Sequence, residues 1–248
     1  LSRIMMLGSN DYKTKVELTK AEQDLYAVNI SGTNRRIGNY LDTGISLKVL
    51  HDNYTEEGNF EKSLDLLDSL IFNPKVTNKA FDEEDFNTVY EEYKADLNSL
   101  KENKMTYALI KGLEATNDKS VISYRGIGYL EDLEKITREN LYSYYEEVIK
   151  HDFVDIFVLG DVDEEYITNI IREKFKINTF KKQPIKALVE ETKTSRTKIV
   201  KEKTSAEQDN LIMTLSLNNL TDYERNYPLS LYNAILGGGS ESLLFSDV

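Results

Sequence analysis

The spacing of apolar residues along the chain predicts several amphipathic helices. Between Glu61 and Asn73, leucine and isoleucine recur every three or four positions, which places them on one helical face. Pro74 follows at once, and a proline in that position is a normal helix stop. The charged stretch from Glu83 to about Lys101 repeats this spacing with large apolar residues. We therefore predict a helix over each stretch.

Three further helices are predicted in the second half of the chain. Thr137 and Asp163 are each followed by apolar residues at helical spacing, and both residue types are favoured at helix N-caps. A helix over Tyr227–Leu236 follows Thr221 and is predicted to stop at Gly237.

Strands are predicted where the apolar period changes. Val154–Leu159 is a nearly continuous apolar run that ends at Gly160, as expected for a strand covered on both faces. Ile45–Leu50 and Leu211–Leu217 alternate apolar and polar residues, the pattern of half-buried strands. Because these strands mix with long helices in irregular order, the sequence predicts an α+β fold.

A change in composition predicts the domain organisation. Between Phe180 and Lys203 there are eight basic and three acidic residues and few large apolar ones. We predict a first domain over residues 1–180, a solvated basic connector over 181–203, and the beginning of a second domain over 204–248. A basic patch for an acidic partner is the alternative interpretation of the connector. The short apolar run before Gly237 is weakly similar to the one before Gly8, which suggests that the two domains are related.

Composition excludes several classes of function. The 248 residues include no cysteine and 2 histidines, so disulfides, iron–sulfur clusters, thiolate zinc sites and cysteine nucleophiles are excluded. A net charge of −12 argues against nucleic-acid binding, which needs a concentrated basic surface. No apolar run approaches the roughly 18 residues of a membrane span. We therefore expect a soluble, cytoplasmic protein with no nucleic-acid or membrane partner.

Since the first residue is Leu1 and Val248 falls inside a predicted helix, we also expect both ends to be boundaries within a longer protein.

The run Gly237, Gly238, Gly239 and Ser240 is the most unusual local feature. A phosphate-binding loop would need a lysine here, but Glu241 follows Ser240 instead. One interpretation is a helix end followed by a turn. The other is a loop that exposes backbone groups to a ligand. The residues alone leave both open.

The remaining polar residues do not suggest a catalytic site. His51 and His151 are each followed by an aspartate at the predicted end of a strand or helix, which is typical of surface or capping residues. The carboxylate pairs on the predicted helices show no calcium-loop spacing, and no Gly-x-Ser-x-Gly motif is present.

Several segments together resemble the pitrilysin/insulinase-like peptidases, which include the mitochondrial processing peptidase subunits. Ile156–Asp163 is similar to the strand and Gly-Asp turn near the end of the family's first domain, and Ala234–Val248 is similar to its second-domain glycine loop and following helix. Phe81–Leu100 and Lys104–Ala108 resemble the long helix and the helix after it, and Gln208 resembles the opening of the second domain. The resemblance covers most of the chain and implies two related α+β domains of helices packed on sheet, the second incomplete.

The resemblance implies that the catalytic centre is lost. Active members carry His-x-x-Glu-His and a distal Glu, in which the histidines bind zinc and the first Glu activates water. Aligning Met5–Ser9 with the stretch after this motif puts Ser2 at the catalytic Glu, Arg3 at the second His and Ser99 near the distal ligand. The first His would precede Leu1. Because a guanidinium has no lone pair to donate, the resemblance implies no catalytic residue, metal ligand or cofactor in this chain.

The resemblance also implies a role for such a chain. Zinc-free members pair with zinc-bearing ones, so we expect a heterodimer, or a homodimer, that closes around an unfolded peptide. Gly237, Gly238, Gly239 and Ser240 match the place of the family's substrate-handling glycine loop. The alternatives are an active zinc peptidase with ligands outside these residues, a purely structural core-type subunit, and a stand-alone peptide-binding module.

Overall fold

The structure is a computed structural model that describes residues 1–38, 40–116, 120–175, 197–203, 209–215, 217 and 219–247. The chain forms two compact units. One consists of Leu1–Tyr107 and Tyr124–Leu188, and the other of Ala108–Ser123 and Val189–Val248. The predicted domain division at residues 180 and 203 stays a prediction.

The first unit combines helices with two small antiparallel sheets among its described residues. The two long strands pair from Asn29 opposite Lys48 to Ile37 opposite Tyr40. In chain order the elements are α1 Ser2–Met5, α2 Lys15–Asp24, β1 Asn29–Ile37, β2 Tyr40–Lys48, α3 Asn59–Phe72, β3 Val76–Thr77, β4 Ala80–Phe81, α4 Glu83–Ser99, α5 Lys104–Thr116 (which continues into the second unit), α6 Leu130–Leu133, α7 Arg138–His151 and α8 Glu164–Lys174.

The predicted helices of this unit are confirmed, because their end signals act as the sequence indicates. Thr137 caps α7 through a reciprocal pair of hydrogen bonds: its hydroxyl accepts from the Asn140 N–H at 3.2 Å, and the Asn140 side chain accepts from its N–H at 2.9 Å. Asp163 caps α8 by accepting from the Tyr166 N–H at 2.7 Å. The predicted α+β class is confirmed by this mixture of helices and antiparallel strands.

The core of the first unit lies around α1 and α3. Ile4 and Met5 of α1 pack with Phe81 and Tyr145 in one buried cluster. Leu18, Val28, Leu66 and Leu70 form a second cluster between α2, the hairpin and α3. Although α1 is only one turn long, it is held by this packing and contacts both β1 and α4.

A hydrogen-bonded network joins the segment after α1 to the end of α3. The Ser9 and Ser69 hydroxyls lie 2.7 Å apart, and Ser69 also donates to the Asp11 carboxylate at 2.5 Å. The Asn73 side chain donates to the same carboxylate at 2.9 Å. The hydrogen bonds from Ser69 and then Asn73 stabilise the ionised form and lower the pKa of Asp11.

Two strand predictions are wrong and one is confirmed in part. The described residues 154–159 and 211–215 belong to no strand, and Phe157 and Leu211 are 91% and 80% exposed. Apolar periodicity predicts burial, but a strand also needs a neighbouring backbone to pair with, and these segments lack one among the described residues. The predicted strand Ile45–Leu50 is found as β2, which ends at Lys48.

The described part of the second unit is mostly helical. After α5 it contains α9 Asp222–Asn226, α10 Pro228–Gly237 and α11 Leu243–Ser246. Helix α10 confirms the predicted helix over Tyr227–Leu236. The segment 209–215 lies along α5, since the Thr116 and Thr214 hydroxyls are 2.9 Å apart and a Cβ on Gly112 would come within 2.6 Å of Ile212 Cγ2.

Some predicted features fall outside the described residues. Gln208, Val248 and the connector up to residue 196 are among them. The described end of the connector, residues 197–203, is exposed and belongs to no helix or strand. Within the described ranges, no helix has both the length and the apolar character needed to cross a membrane.

Candidate functional site

Ser2, at the position that the resemblance gives to the catalytic Glu, is buried beneath the hairpin. It is the first residue of α1 and is 2% exposed. Its hydroxyl accepts a hydrogen bond from the Asn34 side chain of β1 at 2.6 Å. A Cβ on Gly32 would lie 2.9 Å from the Ser2 Cβ, so strand β1 passes directly over this side chain. A longer side chain at position 2 would therefore have to displace its neighbours.

Arg3, at the position of a histidine ligand, lies against the long helix α4. Its Nη2 is 2.8 Å from Asp96 Oδ2, and its guanidinium carbon is 5.0 Å from the centre of the Tyr93 ring. The Tyr93 hydroxyl donates to the Ile127 carbonyl at 2.8 Å, which fixes the ring. Burial is the main cause of the raised pKa of Tyr93, and Asp96 adds to it while Arg3 opposes it. The guanidinium is therefore held by a carboxylate and an aromatic face.

Ser99, near the predicted position of the distal ligand, is the last residue of α4. Its hydroxyl donates to the Asp96 carbonyl at 3.0 Å. Since Asp96 lies three residues earlier on the same helical face and pairs with Arg3, the structure brings α1 to this end of α4. The helices that would hold a metal in an active relative are in contact, but the residue types differ.

These residues do not fit zinc. The set at this place consists of a buried hydroxyl that already accepts a hydrogen bond, a guanidinium, and a helix-terminal hydroxyl bonded to the backbone. Zinc in proteins takes thiolate, imidazole or carboxylate ligands. Among the residues that the structure describes, no three His, Cys, Asp or Glu side chains are grouped so as to hold a metal ion.

Both histidines are exposed capping residues, as the sequence predicts. His51 precedes a 3-10 turn over Asp52–Tyr54, and its Nδ1 accepts from the Asn53 N–H at 3.0 Å. His151 is the last residue of α7, with Nδ1 3.2 Å from the Glu147 carbonyl.

The glycine run forms the end of α10 and the turn after it. Gly237 is the last helical residue, and the Gly238 N–H donates to the Ala234 carbonyl at 3.1 Å. The Ser242 N–H donates to the Gly239 carbonyl at 3.1 Å. All three glycines and Ser240 are exposed, and within the described range 219–247 no glycine has a left-handed φ. The helix-end geometry predicted as one interpretation is present, and substrate contact by these residues stays a prediction.

The environment of the three glycines differs. A Cβ on Gly238 would lie 2.7 Å from the Ala234 Cα, so a side chain there must displace backbone. A Cβ on Gly237 would meet Leu244 at 3.5 Å, an ordinary contact. At Gly239 nothing lies within 4 Å of a Cβ, which leaves this position open to solvent.

Sequence reasoning did not identify the partners of Ser2 and Arg3. Asn34 and Gly32 lie on a strand that was not predicted, because β1 is largely polar and does not alternate. Tyr93 and Asp96 lie on the predicted helix at three-residue steps before Ser99, and this spacing was the available signal.

The described residues form an α+β fold in which Ser2, Arg3 and Ser99, at the places that the resemblance gives to the zinc centre, are not zinc ligands. Residues 135–248 match the family model described as the Peptidase M16 inactive domain. This match and the relatives below confirm the predicted resemblance to the pitrilysin/insulinase-like peptidases.

Two particular proteins show the relationship. The chain is 24% identical, over an alignment of 251 residues, to the protein described as "Probable inactive metalloprotease YmfF" of Bacillus subtilis (strain 168), with 100% of this chain and 58% of the relative covered. The crystal structure of a conserved protein from Enterococcus faecalis V583 superposes with a TM-score of 0.67 at 28% identity, covering 76% of this chain and 47% of that one. The chain thus spans roughly half the length of these relatives. Both the family model and the Bacillus subtilis relative are described as inactive.

Proposed function

We propose that this chain is the non-catalytic subunit of a pitrilysin/insulinase-like peptidase pair, in which a zinc-bearing second chain performs hydrolysis. The proposal rests on the surroundings of Ser2 and Arg3. The first is covered by β1, and the second is paired with Asp96, so neither is available for metal or water chemistry. A chain in this state contributes to peptide cleavage only through a partner.

The proposed contribution of this chain is to complete the chamber and to help hold an extended peptide. Such a peptide has unpaired backbone groups that exposed amides can satisfy without reading its sequence. The exposed turn Gly237–Ser240 offers backbone groups of this kind. The net charge of −12 favours approach of peptides that carry basic residues.

The first experiment tests whether the protein is inactive by itself and whether it acts with a partner chain. The full-length protein is purified alone and with a companion chain that carries an intact His-x-x-Glu-His motif. We expect substoichiometric zinc and no hydrolysis of peptides for the protein alone, and a stable complex with turnover for the pair. Stoichiometric zinc with hydrolysis by the protein alone would establish the active-peptidase alternative. Failure to associate with any second chain of this family would leave a stand-alone peptide-binding module.

The second experiment tests the glycine turn. Gly239→Val adds a side chain where there is open space, so the fold should tolerate it. The matched control is Gly126→Val in the first unit, where a Cβ also meets nothing within 4 Å. We expect the first variant to lower turnover by the assembled pair several-fold and the second to leave it unchanged. Equal turnover for both variants, in complexes that assemble normally, would favour a purely structural subunit.

A further inference from the structure

The contact between α1 and α4 is made at its exposed edge by a side-chain cation. We infer that Arg3 acts as a built-in cation that ties the first helix to a carboxylate on the long helix. This inference goes beyond the proposed function, since it concerns how this chain holds its own helices and applies whether or not a partner is present.

The geometry of the contact suits a guanidinium. Nη2 of Arg3 lies 2.8 Å from Asp96 Oδ2, and its guanidinium carbon lies over the Tyr93 ring, 5.0 Å from the ring centre. A planar guanidinium can hydrogen-bond a carboxylate in its plane and stack on an aromatic ring with its face, which an ammonium cannot do equally well. Both partners come from α4, three residues apart, so one side chain of α1 engages one face of the long helix.

The Arg3–Asp96 ion pair is partly exposed and depends on the Tyr93 ring. The side chains of Arg3 and Asp96 are 45% and 46% exposed, and an ion pair this accessible is weak by itself. The guanidinium carbon of Arg3 lies over the Tyr93 ring, and the Tyr93 hydroxyl donates to the Ile127 carbonyl. The ring therefore limits the conformations of Arg3 and keeps it aligned with Asp96. Arg3 is thus a positioning residue for α1.

The charge at this place also disfavours a divalent ion. The guanidinium already neutralises the Asp96 carboxylate, so an added zinc ion would meet a fixed positive charge and no ligand that could displace it. A ligand that binds the folded state raises its apparent stability by mass action. Zinc should therefore add no stability through this place.

A double-mutant cycle in the full chain tests the inference. Arg3→Met and Asp96→Asn are each expected to lower the midpoint of thermal unfolding by about 2–4 °C. The unfolding midpoint of the double variant should be no lower than that of the less stable single variant, because both substitutions remove the same contact. Arg3→Lys should lie between Arg3→Met and the wild type, since it keeps the charge but loses the planar group.

The control is a second Arg–Asp pair of the same unit. Arg35 Nε lies 2.6 Å from Asp42 Oδ2 across the hairpin, with the Arg35 side chain 71% exposed. The matched variants Arg35→Met and Asp42→Asn should show much weaker coupling. The inference would be overturned by additive losses at Arg3 and Asp96 or by a midpoint for Arg3→Lys equal to that of Arg3→Met. A rise in the wild-type midpoint with added zinc that Asp96→Asn abolishes would also overturn it. The conservative Arg3→Lys variant keeps the test decisive if Arg3→Met does not fold.

Discussion

At the scale of single residues, the loss of the catalytic centre involves more than a change of side-chain type. Ser2 and Arg3 are neighbours on one turn of helix, yet they contact different elements. Ser2 is sealed under β1 by Gly32 and Asn34, whereas Arg3 reaches Asp96 on α4. Because Ser2 is buried against Gly32, a carboxylate at this position would have to displace its neighbours, so we expect that restoring this residue alone would not restore the site.

Reintroducing a carboxylate at Ser2 tests this conclusion. We expect Ser2→Glu to lower the free energy of unfolding by about 3 kcal/mol, because it places an uncompensated charge at a buried position below Gly32. The variant should also show no peptidase activity. Urea unfolding followed by circular dichroism measures the loss.

The matched control for this substitution is Ser2→Ala. It removes only the acceptor of the Asn34 hydrogen bond and should cost about 1 kcal/mol. Equal stability of the glutamate variant and the wild type would show that β1 does not cover this position.

At the scale of elements, helices and strands differ in how far the sequence predicts them. The helices end where caps and prolines indicate, because a helix satisfies its backbone hydrogen bonds within its own segment. Strand β1 was missed because it is polar and derives its pairing from β2. The run Val154–Leu159 has the composition of a buried strand but pairs with no described segment, since pairing depends on distant parts of the chain.

The docking of α7 provides a test at this scale. The buried Tyr145 packs edge-on against Phe81 and donates its hydroxyl to the Ile71 carbonyl at 2.8 Å. Tyr145→Phe should lower the free energy of unfolding by about 1 kcal/mol at pH 7, because it leaves that carbonyl without this donor. Tyr54→Phe, at an exposed position, serves as the control and should have no measurable effect.

The same tyrosine predicts a dependence on alkaline pH. Burial raises the pKa of Tyr145 to about 12, against about 10 for an unfolded chain. The folded state therefore holds this proton more tightly, so the contribution to stability is complete below pH 10 and is lost as the pH rises to about 12. Over that range the stability of the wild type should fall towards that of Tyr145→Phe. Parallel pH profiles for the two proteins would contradict the buried environment.

At the scale of the whole molecule, the net charge and the exposed apolar surface have opposite effects on association between copies. The chain carries a net charge of −12, which keeps copies apart at neutral pH. The described segment Val154–Leu159 nevertheless exposes several large apolar side chains, among them Phe157. Exposed apolar surface of this kind promotes association when repulsion is removed.

Association should therefore increase as the pH falls from 7 towards the isoelectric point near 4.8. Light scattering measures the effect, and added salt at pH 7 should reproduce part of it by screening the repulsion. Phe157→Ser should reduce association at pH 4.8 more than Tyr54→Ser does, since Tyr54 is also exposed but lies outside the segment. An equal response of the two variants would rule out this segment as the surface involved.

The sequence alone predicted the helices α3, α4, α7, α8 and α10, the caps Thr137 and Asp163, the α+β class and the resemblance to the pitrilysin/insulinase-like peptidases. These follow from local hydrogen bonding, apolar periodicity and short motifs, all of which act over a few residues. It also identified the substitutions Ser2 and Arg3, because the apolar run before Gly8-Ser9 sets their alignment.

Only the tertiary structure decided what those two residues do. The hairpin that closes over Ser2 is about thirty residues away, and the carboxylate that pairs with Arg3 is more than ninety residues away. Contacts over such separations depend on how whole elements pack, which periodicity does not encode. For the same reason the structure, and not the pattern, showed which predicted strands have a partner among the described residues.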